Sequence, residues 1–279
     1  MRIRCWGARG SIPVSGPEYL RYGGDTTCLE LWNRSGDVIV VDAGSGIRRL
    51  GKQLLTEETR RVRMLFTHAH WDHLLGFPFF GPLYRDSWRI EVFGCPCAQS
   101  SIKEMISQTM SPPNFPVPLE DVHAEVVFHA DCEETFSVGG LSITPTHASH
   151  PNKALGYRFE EDGRSLVFLT DNELRYRHED GGTFDDYVRF CRAADLLIHD
   201  AEFTPEEYRH TRAWGHSTYA DAAELALAAE VRALGLFHHN QDRSDDQVDE
   251  IVAACGELLA ARDAGTECFA VHQGMERRL

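Results

Sequence analysis

Three histidines and one aspartate fall within six consecutive positions of this chain, in the segment His68-Ala69-His70-Trp71-Asp72-His73. An apolar run at residues 62–66 comes shortly before them. In α/β proteins, loops that follow buried strands commonly carry the functional groups. Burying so many imidazoles and carboxylates would be costly without a cation, and zinc or manganese prefers these ligands. The cluster therefore predicts a metal site rather than a histidine-rich surface loop.

The spacing within the cluster indicates two metal ions. His68 and His70 are two residues apart, so their side chains can converge on one ion from an extended or looping backbone. Asp72 and His73 come one turn later, where a short helix is expected around residues 74–76, and can face a second ion. We therefore expect a dinuclear site for divalent ions, zinc or manganese, with iron as a further option.

The motif His-x-His-x-Asp-His after a short apolar strand resembles the signature of the metallo-β-lactamase superfamily. That resemblance implies an α/β fold, a four-layered αββα sandwich with metals held by loops along one edge of two sheets. Asp42, after the strand at 38–41, resembles the family's carboxylate that supports the metal loop, although a strand followed by a glycine turn explains the same residues. The resemblance extends over nearly the whole chain, and residues 1–279 contain no linker-like segment, so we expect one domain.

Apolar runs supply enough elements for such a sandwich. They predict strands at residues 2–6, 28–32, 38–41, 62–66, 89–93, 141–145, 155–159, 166–169, 196–198, 234–237 and 268–271. They predict helices at residues 47–55, 100–109, 184–193, 218–231 and 245–262.

The remaining metal ligands follow from the resemblance. The third histidine of the first site is His150 or His147; the spacing before Gly156-Tyr157 favours His150, as in the ribonuclease Z-like branch of the family. Asp171, after an apolar strand, fits the carboxylate that bridges both ions, although an aspartate there is commonly a turn former or a helix cap.

The last ligand is His238 or its neighbour His239, and comparison with the family pattern favours His238. The implied first site contains His68, His70, His150 and Asp171, and the implied second site contains Asp72, His73, Asp171 and His238.

A second motif narrows the branch. Trp214-Gly215-His216-Ser217-Thr218 resembles the His-Ser-Thr loop of ribonuclease Z-like phosphodiesterases, although a hydroxyl residue there could simply cap the following helix. The resemblance implies that Asp200 orients His216 and that His216, Asp200 and Asp72 form the catalytic group. The two ions would lower the pKa of a shared water, the resulting hydroxide would attack phosphorus, and His216 would protonate the leaving alkoxide.

Charge and loop length bear on the substrate. The formal net charge of −15 disfavours long nucleic acid, because surfaces that follow phosphate backbones are normally basic. Residues 156–165 predict a tight acidic hairpin where ribonuclease Z commonly inserts its RNA-gripping arm. We therefore expect a small phosphodiester as substrate, a cyclic nucleotide being one example. The alternatives are a lactone or thioester hydrolase and a ribonuclease Z-like endoribonuclease; a metal-stabilised binding protein is disfavoured.

Two further expectations concern the surroundings of the site and of the protein. The segment 107–118 contains four prolines and, with residues 77–80, could form an apolar wall over the metals that stacks a base, or an ordinary surface loop. The sequence carries no apolar leader, long apolar span or lipidation signal, which predicts a cytoplasmic protein without membrane attachment. Related enzymes are often dimers, so a homodimer is also considered.

Overall fold

The structure, a computed structural model, describes residues 1–93, 102–129, 135–262 and 265–279, and within these ranges the chain forms fourteen strands and seven α-helices. The strands are β1 (Arg2–Gly7), β2 (Cys28–Trp32), β3 (Val38–Val41), β4 (Arg61–Leu65), β5 (Arg89–Phe93), β6 (Glu125–His129), β7 (Phe136–Val138), β8 (Leu141–Ala148), β9 (Ala154–Glu161), β10 (Arg164–Leu169), β11 (Leu196–Asp200), β12 (Ala233–Phe237), β13 (Glu267–Ala270) and β14 (Glu276–Arg278). The helices are α1 (Ile47–Leu54), α2 (Trp71–Leu74), α3 (Ile102–Thr109), α4 (Phe184–Cys191), α5 (Pro205–Thr211), α6 (Tyr219–Ala228) and α7 (Asp245–Ala260). Short 3-10 helices occupy Pro17–Tyr19, Phe77–Phe79, Gly81–Tyr84 and Leu119–Asp121.

The strands form two seven-stranded sheets. The first has the order β14-β1-β2-β3-β4-β5-β6 and the second has the order β13-β12-β11-β10-β9-β8-β7. Strands β3 to β6 run parallel in the first sheet, and β10 to β13 run parallel in the second. Because the carboxyl ends of parallel strands share one edge of a sheet, the loops after these strands gather there.

The two sheets pack face to face, with helices on their outer faces. Strand β3 shows why its sequence is a continuous apolar run: Ile39 and Val41 lie in the core between the sheets, while Val38 and Val40 lie in the outer core under α1. On the second sheet, Val167 and Leu234 pack in a third core with residues of α4, α6 and α7. This confirms the predicted αββα sandwich.

The elements that the sequence analysis missed lie mostly at the margins of the sheets. Strands β6 and β7 are sheet edges, and β14 is a charged strand that pairs with β1. Helix α5 has no buried residue, so its sequence lacks the apolar periodicity that predicts a helix. Helix α2 begins at Trp71, earlier than expected. The first two residues of the helix expected at 100–109 lie outside the described residues, and α3 begins at Ile102.

Candidate metal centre

The loops at the carboxyl ends of four strands bring the seven predicted ligand side chains together. The loop after β4 and the short helix α2 that continues it carry four of them, and β8, β10 and β12 are each followed by one. The donor atoms form two groups, each with its members within 4.8 Å of one another: His68, His70 and His150, and Asp72, His73, Asp171 and His238. Since neighbouring donor atoms around a tetrahedral zinc ion lie about 3.4 Å apart, these groups have the dimensions of two metal sites.

The individual distances agree with that interpretation. In the first group, the His70 Nδ1 atom lies 3.1 Å from the His150 Nε2 atom. The Asp171 Oδ1 atom lies 3.6 Å from His68 Nε2 and 3.9 Å from His150 Nε2. The same Oδ1 atom lies 3.3 Å from His238 Nε2, in the second group. Asp171 therefore stands between the two groups, as expected of a bridging ligand.

In the second group, the Asp72 Oδ2 atom lies 3.3 Å from His73 Nε2 and 3.1 Å from His238 Nε2. The Asp171 Oδ2 atom lies 3.5 Å from His73 Nε2. The backbone N–H of Ser11 donates a hydrogen bond of 2.9 Å to Asp72 Oδ2, which fixes that carboxylate from the N-terminal segment.

Hydrogen bonds at the far side of three rings aim their Nε2 atoms at the cluster. His73 Nδ1 donates to Asp42 Oδ2 at 2.8 Å, and His238 Nδ1 donates to a carboxylate oxygen of Glu202 at 2.9 Å. His150 Nδ1 donates to the backbone carbonyl of Gly215 at 2.9 Å. Such partners fix the tautomer and the ring orientation of metal-binding histidines.

The backbone is strained where three of these side chains leave their strands. Asp42, Asp171 and His238 have φ angles of 62°, 53° and 57°, in the left-handed region that residues other than glycine rarely adopt. Each follows a strand end within two residues, so the reversed backbone redirects the side chain toward the cluster. Strain of this kind costs on the order of 1–3 kcal/mol per residue and concentrates at functional sites.

The buried polar atoms fit divalent cations. Among the described residues, the buried Nε2 atoms of His68 and His73 have no hydrogen-bond partner. Burial lowers the pKa of His150 to about 3, which keeps that imidazole in the neutral form that binds metals. Burial also lowers the pKa of His73, but Asp72 and Asp171 outweigh burial and raise it well above its usual range. This side of the cluster therefore attracts positive charge, and imidazoles with carboxylates suit zinc, manganese or iron.

His216 lies against both groups of donor atoms. Its Nδ1 atom is 3.0 Å from Asp200 Oδ2 and 3.4 Å from Glu202 Oε2. Its ring stacks on the ring of His238 with the centroids 4.6 Å apart, and the His150 ring is 5.2 Å away. Burial opposes the charge on His216, but Glu202 and Asp200 outweigh it and raise the pKa to about 9. These neighbouring carboxylates therefore favour the protonated form of the His216 ring at the edge of the cluster.

The loop that carries His216 is tied down on both sides. The backbone N–H of Ser217 donates to Asp200 Oδ1 at 2.9 Å, and Ser217 Oγ donates to the carbonyl of Asn172 at 2.6 Å. Thr218 is the N-cap of α6 and its hydroxyl accepts from the N–H of Asp221 at 3.1 Å. The expected helix cap and the positioned histidine are thus both present in one loop.

The buried carboxylate of Glu173 also holds the loop that carries His216. This carboxylate accepts from the Tyr208 hydroxyl at 2.6 Å, from Ala213 N–H at 2.7 Å and from Gly215 N–H at 2.8 Å. His178 Nε2 makes a fourth contact at 2.8 Å. Because the Gly215 carbonyl in turn accepts from His150, Glu173 connects the position of the His216 loop with a predicted metal ligand.

Comparison with known proteins agrees with this geometry. The family model described as Beta-lactamase superfamily domain matches residues 38–239, a span that includes all seven predicted ligands. The chain belongs to the metallo-β-lactamase superfamily. Ribonuclease Z of Haloarcula marismortui is 26% identical over 331 aligned positions, covering 100% of this chain and 97% of that protein.

Two solved structures share the metallo-β-lactamase fold with this chain. The metallo-β-lactamase fold protein YhfI from Bacillus subtilis gives a TM-score of 0.72 at 17% identity, with 99% of this chain and 98% of that chain covered. A diphosphatase from the PhnP family gives a TM-score of 0.70 at 18% identity, covering 100% of this chain and 97% of that one. The protein is thus a hydrolase of the metallo-β-lactamase superfamily, and its His/Asp cluster is compatible with divalent metal ions.

The structure separates the two pairs of candidate ligands that the sequence left open. His150 joins His68 and His70, whereas His147 lies on β8 outside these donor groups. His238 joins the second group, whereas His239 Nε2 donates to the carbonyl of Val271 at 2.8 Å. Binding of metal by His150 and His238 remains a prediction.

Two carboxylates of this metallo-β-lactamase centre, Glu202 and Glu173, were not predicted from the sequence. Glu202 is two residues after Asp200, and both carboxylates contact His216 Nδ1; this spacing was an available signal. Glu173 contacts residues about 40 positions later, and no local pattern indicates such a contact.

Among the helices that the structure describes, none is both long and apolar enough to cross a membrane.

Proposed function

We propose that this chain is a phosphodiesterase that hydrolyses a small phosphodiester at two divalent metal ions. His68, His70 and His150 would hold one ion, Asp72, His73 and His238 would hold the other, and Asp171 would contact both. When bound, the ions supply charge neutralisation for the phosphate oxygens and lower the pKa of water. Asp42, Glu202 and the Gly215 carbonyl keep three of the rings in place.

The observation that carries the proposal is the position of His216 with Asp200. When a phosphodiester is hydrolysed, one ester group departs as an alkoxide, a strong base that needs a proton as its bond to phosphorus breaks. His216 lies beside both donor groups, and its Nδ1 atom is bonded to Asp200 at 3.0 Å, so its Nε2 atom is free to donate. Asp200 is itself fixed by the Ser217 and Asn172 N–H groups, so the ring is held in a defined orientation.

Two features favour a small substrate over long RNA. Strand β9 ends at Glu161 and β10 begins at Arg164, so Asp162-Gly163 is the entire connection and no arm is inserted there. The net charge of −15 would repel a polyanion beyond the site itself. A cyclic nucleotide is one small diester of suitable size.

A ribonuclease Z-like endoribonuclease is the second candidate, because the Haloarcula marismortui relative bears that name and covers this whole chain. The two candidates are distinguished by substrate: a 3′-extended transfer RNA precursor for the endoribonuclease, and small diesters for the proposed activity. Cleavage of the precursor without turnover of small diesters would favour the second candidate.

The direct test compares substrates on chelated protein reloaded with manganese, zinc or iron. We expect turnover of bis(p-nitrophenyl) phosphate and of a cyclic nucleotide, and little turnover of a homoserine lactone. Turnover of the lactone without either diester would overturn the proposal in favour of a lactone or thioester hydrolase.

The variant His216→Ala tests the proton donor. p-Nitrophenolate is a weak base and leaves without a proton, whereas the alkoxide of a cyclic nucleotide does not. We therefore expect alkoxide release to fall by roughly a hundredfold or more, with a smaller effect on p-nitrophenolate release and unchanged metal content. His210→Ala, which removes an exposed histidine from α5, is the matched control. Equal effects of His216→Ala on both leaving groups would exclude His216 as the acid.

A further inference from the structure

An apolar pocket of about 400 Å³ adjoins the loop that carries four of the predicted ligands. Its lining includes Ala69, which lies between His68 and His70, and Trp71, which lies between His70 and Asp72. A group bound in this pocket would therefore lie beside the metal loop itself. The volume is within the range of pockets that hold small molecules, roughly 300–1,000 Å³.

Aromatic rings form the walls of the pocket. The Trp71 side chain is 74% exposed and Phe79 is 55% exposed, which is unusual for such large apolar groups beside one another. Phe115 packs edge-to-face against Phe79, with the ring centroids 5.5 Å apart and the planes at 84°. Phe115 belongs to the proline-containing segment 107–118, so that segment contributes a wall beside the metal loop.

The polar groups of the pocket are neutral. Its described lining contains no lysine, arginine, aspartate or glutamate; the amides of Gln108 and Asn114 supply both hydrogen-bond donors and acceptors. A channel for a polynucleotide needs cations that follow the phosphates as well as aromatic rings that stack the bases. This lining has the rings and the amides but not the cations, which suits one uncharged planar group.

We propose that this pocket binds the nucleobase of a nucleotide phosphodiester, stacked on Trp71 and Phe79, while the phosphate lies at the metal centre. The inference rests on the proposed function and adds the substrate class to it. The amides of Gln108 and Asn114 would pair with the edge of the base, whose own groups include donors and acceptors. Stacking of a base on an aromatic side chain strengthens binding by about 5- to 150-fold.

The test measures binding by calorimetry, so that it does not depend on turnover. The probes are adenosine 5′-monophosphate and ribose 5-phosphate, which differ by the base alone, on metal-loaded protein. Adenosine and ribose are compared in the same way on chelated protein. We expect each base-containing probe to bind about 5- to 150-fold more tightly than its partner without the base.

Trp71→Ala and Phe79→Ala are expected to lower this preference for the base at least about fivefold without changing the affinity for ribose 5-phosphate. Both side chains are largely exposed, so the variants should keep their fold, which thermal unfolding checks. Leu258→Ala removes an exposed apolar side chain from α7, outside the described pocket lining, and should keep the full preference.

Equal binding of the paired probes to the wild-type protein, or an undiminished preference in both aromatic variants, would overturn the inference. The two proposals fail separately. Diester turnover without any preference for the base would leave the phosphodiesterase proposal standing and remove the pocket. Preference for the base without diester turnover would leave the pocket standing and remove the phosphodiesterase proposal.

Discussion

Replacing Glu173 with glutamine tests whether one buried carboxylate holds the His216 loop against the metal cluster. The wild-type carboxylate accepts from the Tyr208 hydroxyl and from the N–H groups of Ala213 and Gly215, and it also contacts His178 Nε2. Glutamine has nearly the same shape but offers one acceptor oxygen, and its NH₂ group would face donors. The variant therefore changes the hydrogen bonding while leaving the volume nearly constant.

The magnitude follows from the contacts that are lost. Two of the four contacts lie on each oxygen of Glu173, so the variant loses two bonds to a charged acceptor. A hydrogen bond to a charged group contributes about 1.5–3 kcal/mol, which gives a loss of about 3–6 kcal/mol if the protein unfolds as one unit. For a chain of this size we expect the melting temperature to fall by at least about 6 °C.

The effect should also reach the first metal site. The Gly215 N–H donates a hydrogen bond to the Glu173 carboxylate, and the Gly215 carbonyl accepts one from His150 Nδ1 at 2.9 Å. Complete loss of a partner that orients a metal-binding histidine typically weakens metal binding 10- to 100-fold, and displacement of the Gly215 carbonyl is expected to weaken it by up to that amount. Metal titration of the chelated variant should therefore show one weakened site, the one that includes His150, and one site close to the wild-type affinity.

Glu179→Gln is the matched control, because Glu179 is exposed on the segment that follows Glu173. It should leave both the melting temperature and the two metal affinities unchanged. If Glu173→Gln melts like the wild type and binds both ions with wild-type affinities, the four contacts of this carboxylate do not hold the loop in place.

Three other substitutions test different parts of the structure. Asp42→Asn removes the carboxylate that orients His73, and metal titration should show about 10- to 100-fold weaker binding at the second site. Gly10→Ala would place a methyl group 2.3 Å from the His238 ring, so the ring must move, and titration should show at least about tenfold weaker binding there. Burial raises the pKa of Glu30 from 4.5 to about 8, so its contribution to stability is full below pH 4.5 and is lost as pH rises to about 8. Glu30→Gln should therefore flatten this decline in urea unfolding, by an amount on the order of a few kcal/mol.

The two metal-binding tests have matched controls, and the Glu30 test has a contrary outcome of its own. Asp246→Asn removes an exposed acid from α7 and should leave metal binding unchanged; weakening equal to that of Asp42→Asn would point to a general charge effect. Gly256→Ala adds a methyl group where no atom lies within 4 Å and should leave metal binding intact. If Glu30→Gln and the wild type show the same slope of unfolding free energy against pH between 4.5 and 8, this carboxyl is not protonated in the folded protein.

The fold could be predicted from the sequence because the central strands of both sheets are buried on both faces and are therefore continuous apolar runs. Runs such as 38–41 and 166–169 are buried throughout, and they stand out without alignment. Strand β14, with the sequence Glu-Arg-Arg, has no apolar signal because pairing with β1 is what makes it a strand. Helix α5 had a usable signal of another kind, Thr204 as N-cap with Pro205 and Glu207 in the first turn.

The candidate site could be predicted where its ligands are close together in the sequence. It could not be predicted where supporting residues come from distant parts of the chain. The motif His68 to His73 contributes four of the donor side chains from one loop, and the structure collects the predicted His150, Asp171 and His238 around it. The supports are different, because Glu202 and Glu173 act through contacts between loops from different strands. Such contacts depend on the packing of the whole sandwich, and apart from the spacing of Asp200 and Glu202 they leave no local pattern.

The two sheets divide the donor atoms between them. His68, His70, Asp72 and His73 follow β4 in the first sheet, while His150, Asp171 and His238 follow strands of the second. Each ion would therefore link ligands that come from both sheets. The distance between these ligands depends on the side chains that fill the layer between the sheets. Core residues such as Leu65 and Phe168 bind no metal themselves, but their packing sets the separation of the sheets and therefore the distance between the two sets of ligands.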